Sequence, residues 1–207
     1  MVFDLDGTLI DSEALVLEAY MAAADRHGVP FTHDQFLSLV GRHRQHSEMK
    51  MREYFGAAFP LEAFYATVGE FFGDKAAPLK PGALELFDRL EAARLPFALA
   101  TSSGPGWVNK HFAAHNLAER FRGVVTRDDV THGKPHPEPY LKASTILGHH
   151  PQDVLAIEDS PTGVASAHAA GLMTIMVPDL IQPDDETRSR TVHIGQSLED
   201  VLALLQD

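Results

Sequence analysis

Cysteine is absent from this chain, which excludes disulfides, thiolate metal ligands and thiol nucleophiles together. Basic residues are few: 17 lysines and arginines face 29 aspartates and glutamates, a net charge of -12. Nucleic acid is therefore not an expected partner, because binding a phosphate backbone needs a basic face. A small phosphate ester stays open, provided a few local groups and a metal reverse the sign. Long apolar runs are also missing. Nothing approaches the roughly 18 to 20 apolar residues of a membrane span, and Met1-Val2-Phe3-Asp4 shows no basic region or apolar stretch of a leader. The expectation is a cytoplasmic protein, and, with no coiled-coil seam, a monomer. Tryptophan occurs once, at Trp107, and reads as packing.

What the chain does have stands at its start: Asp4-Leu5-Asp6-Gly7-Thr8, followed by Leu9-Ile10-Asp11-Ser12. Two carboxylates two residues apart leave a short apolar run and enter a glycine turn. Holding them together costs free energy, since like charges repel and burial penalises both. Such a pair calls for a cation between its members or a proton to move.

At 207 residues the chain can bury a full core, as one large domain or two smaller ones. Five short apolar runs, at 1–5, 97–101, 123–126, 154–157 and 173–177, read as strands. Each lacks polar alternation, the pattern of a parallel strand covered on both faces. Helical spacing separates the last four, with Leu86, Phe87 and Leu90, then Val108 and Phe112, then Tyr140 and Leu147, then a stretch at 164–170. Alternating strand and helix predict a doubly wound α/β core with a mostly parallel, Rossmann-like sheet. The first gap is too long for one crossover. Helices are expected at 14–27, 33–40, 44–55 and 61–72, and the prolines of Pro78-Leu79-Lys80-Pro81-Gly82 stiffen a return linker. This predicts a catalytic core of 1–12 and 80–207 with an inserted all-helical cap at 13–79.

Ligands of open α/β sheets bind outside the carboxyl ends of the strands. At those ends lie Asp4 and Asp6, then Thr101-Ser102-Ser103-Gly104, then Glu158-Asp159-Ser160, with Gly133-Lys134-Pro135 between. Four carboxylates, a hydroxyl and a lysine are thereby predicted to converge. Hard carboxylate oxygens suit Mg2+, whose octahedron a phosphate oxygen and waters can complete.

A lone Asp-x-Asp is common, but four motifs in this order are specific. Asp-x-Asp-Gly-Thr, a strand ending in Thr-Ser, Gly-Lys-Pro, and Glu-Asp-Ser-x-x-Gly together resemble the haloacid dehalogenase superfamily. More narrowly, the chain resembles its helical-cap phosphatases, the group containing phosphoglycolate phosphatase and β-phosphoglucomutase, over essentially its whole length. With only three residues before Asp4, the first strand is expected to be short and the start trimmed relative to such proteins.

The resemblance implies a phosphoric monoester hydrolase and a role for each motif. Asp4 would be the nucleophile, forming an aspartyl-phosphate. Asp6 would protonate the leaving alkoxide and then deprotonate the attacking water. Thr101 and Lys134 would hold the phosphoryl oxygens, with amides near Ser102 adding donors. Asp4, the backbone carbonyl of Asp6, Glu158 and Asp159 would hold Mg2+. In the cap, Arg42 and Arg44 are candidates to reach a substrate anion.

Other residues read as structural. Asp11 and Ser12 suit a helix cap, Ser160-Pro161 an N-cap and first helical turn, and Gly171 a helix stop. Gly163 is assigned to close helix packing, and His111 and His115 to a solvated surface. Asp6 argues against a dehalogenase, since similar dehalogenases lack an acid/base aspartate there. A β-phosphoglucomutase-like mutase is the main rival; its hinge histidine and cap lysine are replaced here by Val16 and Val40. A phosphonate hydrolase would need a Schiff-base lysine, for which Lys50 and Lys75 have no supporting context. A module that binds a phosphate ligand or a partner without turnover should have lost Asp4, Asp6, Lys134 or Asp159, and all four are present. The substrate expected is a small phosphorylated metabolite, a sugar phosphate or a phosphoglycolate-like ester.

Overall fold

The computed structural model describes residues 1–39, 44–73 and 75–205, apart from the side chains of 44–46. The chain divides into two compact units, one of residues 1–11 and 77–207 and one of residues 12–76.

The first unit is built on six parallel strands in the order β3-β2-β1-β4-β5-β6. They are β1 (Val2–Phe3), β2 (Ala98–Ala100), β3 (Val124–Val125), β4 (Leu155–Glu158), β5 (Met173–Met176) and β6 (His193–Ile194). Val2 is in register with Ala98 on one side and Ala156 on the other. β1 is thus the centre, where the strand order reverses, and this switch point is where an open α/β sheet offers a crevice. The first five strands fall inside the runs expected from the sequence, with Glu158 extending the fourth by one residue. β6 was not anticipated: two residues, one of them an exposed histidine, carry no apolar run.

Both faces of the sheet are covered, which is why its strands lack alternation. Val2 joins Ala98, Ala100, Val125 and Ala156 in one buried cluster with Tyr140, Ala143, Leu147 and Ala167. The latter lie on α7 (Glu138–Leu147) and α8 (Pro161–Ala169). Phe3 meets an aromatic cluster instead. Phe87, from α5 (Ala83–Ala92), stacks on Phe97 at 5.2 Å, and Phe3 and Phe121 pack edge-on against both. Each such pair adds about 0.5–1.5 kcal/mol beyond its buried area, so the strand leading into Asp4 is anchored from both faces.

Local sequence signals set the helix ends. α6 (Pro105–His115) starts with proline at its first position and ends on Asn116 in the left-handed conformation, a proline-in, αL-out arrangement. Ser160 caps α8, accepting the amide of Gly163, with Pro161 at the first position. Gly171 at φ 86° closes the helix as its C′ residue, its amide bonded to the His168 carbonyl.

The second unit is helical: α1 (Ser12–Arg26), α2 (His33–Leu37), α3 (Arg44–Phe55) and α4 (Leu61–Phe72). Ala19, Ala23, Phe31, Phe36, Met51, Phe59 and Phe64 form its own buried cluster, with Tyr20 in contact with four of the surrounding rings. Two further helices of the first unit, α9 (Asp185–Ser189) and α10 (Leu198–Leu204), were not anticipated. No helix among the described residues is long and apolar enough to cross a membrane.

Candidate active site

The chain leaves β1 at Asp4, whose amide still bonds the Ile157 carbonyl of β4 at 3.0 Å. It then turns so tightly that the amides of Leu9 and Ile10 both donate to the Leu5 carbonyl. Gly7 sits in this turn at φ 76°, and a Cβ there would lie 2.4 Å from Asp159 Oδ2. Only glycine meets both demands. The Asp-Gly-Thr run thereby sets Asp4 beside the end of β4, where Thr8 Oγ1 donates to Asp159 Oδ1 at 3.1 Å.

Asp4, Glu158 and Asp159 bring one carboxylate oxygen each within 4.8 Å of one another. Lys134 is the cation among them, donating to Asp4 Oδ1 at 2.5 Å and to Glu158 Oε1 at 2.5 Å. Glu158 is fully buried and also accepts from the Tyr140 hydroxyl at 2.5 Å and from Ser160 Oγ at 3.2 Å. A Cβ on Gly163 would stand 1.9 Å from its carboxyl carbon. Gly163 therefore makes room for the Glu158 carboxylate rather than serving helix packing alone.

The loop bearing Lys134 is tied down on both sides. Glu138 accepts the amides of Thr131 and His132 at 3.0 and 2.9 Å, and Ser166 Oγ on α8 donates to the His136 carbonyl at 2.6 Å. Bonds from Lys142 and those two amides pull the Glu138 carboxyl down to about 2. His132, His136 and Glu138 also gather at the surface, but Glu138 is already committed to stitching this loop.

The electrostatics follow from two buried carboxylates, Asp4 and Glu158, sharing one ammonium with the half-buried Asp159 beside them. Burial foremost pushes Asp4 up to about 7, with Lys134 opposing and Glu158 and Asp6 adding to the rise. Asp159 is likewise held well above the usual carboxylate range, by burial and then by Asp4 and Glu158. For Lys134, burial works against the charge, yet Asp4 and Glu158 more than offset it and its pKa is raised. Surplus negative charge on hard oxygen donors is the donor set of a divalent cation such as Mg2+, and the space left by Gly7 and Gly163 keeps all three carboxylates close.

Asp6 stands apart from that cluster. Its Oδ2 accepts from Ser103 Oγ at 2.6 Å and its Oδ1 from Trp107 Nε1 at 2.8 Å. Thr101, buried at the end of β2, turns its Oγ1 to accept the Ser103 amide at 3.0 Å, while Ser102 is exposed. Arg42, and the side chain of Arg44, lie outside the described residues.

The sequence readings of Trp107, His111 and His115 are corrected by their contacts. Trp107 is not packing alone, since its indole holds Asp6. His111 is fully buried rather than solvated: its Nδ1 faces the Trp107 carbonyl at 2.9 Å and its Nε2 accepts the Ala77 amide at 3.0 Å. His115 Nε2 meets the Ala77 carbonyl at 2.7 Å, so the two histidines clasp both sides of that residue's backbone. Asp11 accepts from Lys80 at 3.4 Å, and Lys80 also donates to Asp179 at 2.9 Å. Asp179 lies outside every motif the sequence marks. Its Oδ2 is buried with no hydrogen-bond partner among the described residues, close to where a Cβ of Gly7 would stand.

A doubly wound sheet with buried carboxylates and a lysine at its switch point defines a catalytic α/β protein. Residues 1–177 match the profile of the haloacid dehalogenase-like hydrolases, and the chain belongs to that family. Hexitol phosphatase A of Escherichia coli is 33% identical over 99% of this chain and 94% of its own length. The phosphorylated carbohydrates phosphatase of Thermotoga maritima is 32% identical over 84% of this chain and 82% of its own length. Among solved structures, a "putative beta-phosphoglucomutase" from Thermotoga maritima superposes with a TM-score of 0.85 at 29% identity, covering 99% of this chain and 97% of that one.

Proposed function

We propose that the chain is a Mg2+-dependent phosphatase that hydrolyses a small phosphorylated metabolite, a sugar phosphate foremost, through an aspartyl-phosphate on Asp4. The observation that carries the reading is the convergence of Asp4, Lys134, Glu158 and Asp159 at one edge of the sheet, with Asp6 held separately by Ser103 and Trp107. A single attacking carboxylate and a second one reserved for protons is the division that phosphoryl transfer to an enzyme needs.

In this account an Asp4 oxygen attacks phosphorus and the ester P–O bond breaks. The proton on Asp6 passes to the departing alkoxide. Water then attacks the phosphoryl group, gives its proton to Asp6, and the bond from phosphorus to Asp4 breaks. Lys134 and Thr101 orient the phosphoryl oxygens, with amides beside Ser102 as further donors. Asp4, the Asp6 carbonyl, Glu158 and Asp159 would hold the cation. When bound, it supplies charge neutralisation that lets an anionic nucleophile approach an anionic phosphate.

We assign residues 12–76 the role of a cap that sets specificity, with Arg42 and Arg44 as its candidate anion contacts. Two relatives named as phosphatases of phosphorylated carbohydrates and hexitols support a sugar phosphate over phosphoglycolate. A mutase is the second reading. Against it, Val16 packs with the apolar cluster of its own helical unit, so no polar group at that position shields an aspartyl-phosphate from water. Incubation with β-glucose 1-phosphate separates the two: release of inorganic phosphate supports the phosphatase, and conversion to glucose 6-phosphate supports the mutase.

A further inference from the structure

The orientation of the Asp6 carboxyl group is set by what each of its oxygens faces. Oδ1 faces the indole N–H of Trp107 at 2.8 Å, and Oδ2 faces the hydroxyl of Ser103 at 2.6 Å. These donors are not equivalent. An indole nitrogen only donates, so the direction of the Trp107 bond to Oδ1 is fixed. A hydroxyl can donate or accept and can rotate, so the Ser103 bond to Oδ2 holds the carboxyl less strictly than the Trp107 bond does. From this asymmetry, and building on the phosphatase reading above, we infer that Trp107 is a positioning residue that fixes the orientation of the Asp6 carboxyl group toward the leaving-group oxygen.

The surroundings of Trp107 suit that task. It lies on the first turns of α6, and its backbone carbonyl is met by His111 Nδ1 at 2.9 Å. Its ring packs against the His111 ring, with centroids 4.3 Å apart. The Nε2 of His111 accepts the Ala77 amide, which assigns the proton of this buried ring to Nδ1 and makes it the donor to Trp107. The Ser103 side is as constrained: its amide donates to Thr101 Oγ1 at 3.0 Å and its carbonyl accepts from the Arg127 amide at 3.1 Å. Both hydrogen-bond partners of Asp6 are therefore fixed from behind, and the carboxylate has two anchored oxygens of different character.

The test uses the full-length chain with Mg2+ and compares an alkyl phosphate, whose alkoxide needs a proton to leave, with p-nitrophenyl phosphate, whose phenolate needs little. General-acid assistance is worth about 10² to 10⁴ in rate, so a misplaced acid shows selectively on the alkyl ester. Trp107→Phe is expected to lower the alkyl-to-aryl ratio of kcat/KM by about tenfold or more, and Trp107→Gln, which restores an N–H, to recover part of it. An equal loss on both esters, or an unchanged ratio, overturns the inference. Emission offers a readout independent of turnover, because Trp107 is the sole tryptophan. Asp6→Ala should shift the wild-type spectrum, and an unmoved spectrum overturns the contact. If the wild type releases no phosphate from either ester, the phosphatase reading itself fails, and the spectrum alone then decides whether Trp107 holds Asp6.

Discussion

Gly163 and Glu158 occupy what would otherwise be the same space: a Cβ at position 163 would lie 2.0 Å from both carboxylate oxygens of Glu158. The buried glutamate can reach Lys134 and Tyr140 only because the helix beneath it has no side chain there. Gly163→Ala should displace that carboxylate and cost about 1–3 kcal/mol, the usual range for overpacking. A urea midpoint and a Mg2+-induced rise in Tm, both reduced, are the expected outcome. A wild-type response to Mg2+ in a folded Gly163→Ala variant would show that Glu158 has no part in holding the cation.

Removing the ammonium of Lys134 leaves the buried carboxylates of Asp4 and Glu158 without their counter-charge. Breaking a buried pair from one side costs about 3–5 kcal/mol. Lys134→Ala is accordingly expected to lower Tm sharply in chelator, and Mg2+ should restore part of the loss. Chemical denaturation with and without Mg2+ checks this. A Lys134→Ala protein as stable as wild type in chelator would contradict the charge balance described here.

The pH dependence follows from the sign of the Asp4 shift. Its carboxyl is raised from 3.8 to about 7 in the folded protein, burial being the main cause. A raised carboxyl contributes stability below its unfolded value that is lost as pH rises through the folded one. In chelator, Tm should therefore fall between about pH 4 and pH 7 on this account. Cation binding needs the ionised form, so the Tm gain on adding Mg2+ should be larger at pH 8 than at pH 6. A larger gain at pH 6 would reverse the assignment.

Much of this arrangement could be read from residue order, and the exceptions share a cause. Strands buried on both faces announce themselves as short apolar runs, so β1 to β5 were legible while the two residues of β6 were not. Asp4, Lys134, Glu158 and Asp159 were findable because each follows a strand or sits between recognisable turns. Trp107, His111 and Asp179 were not, since their roles depend on partners far away in sequence. An aromatic on a helix looks like core until a carboxylate about a hundred residues earlier is found under its N–H. The clasp of His111 and His115 on Ala77 involves a backbone, which leaves no trace in side-chain pattern.

The most direct test of the central claim is Mg2+-dependent phosphate release by wild type and by Asp4→Asn. Wild type should release inorganic phosphate from p-nitrophenyl phosphate and sugar phosphates, and chelator should stop it. Asp4→Asn should fold and lose turnover by about 10³-fold or more, as expected when a nucleophile is removed. Near wild-type release by Asp4→Asn, or no Mg2+-dependent release by a folded wild-type protein, would contradict the account.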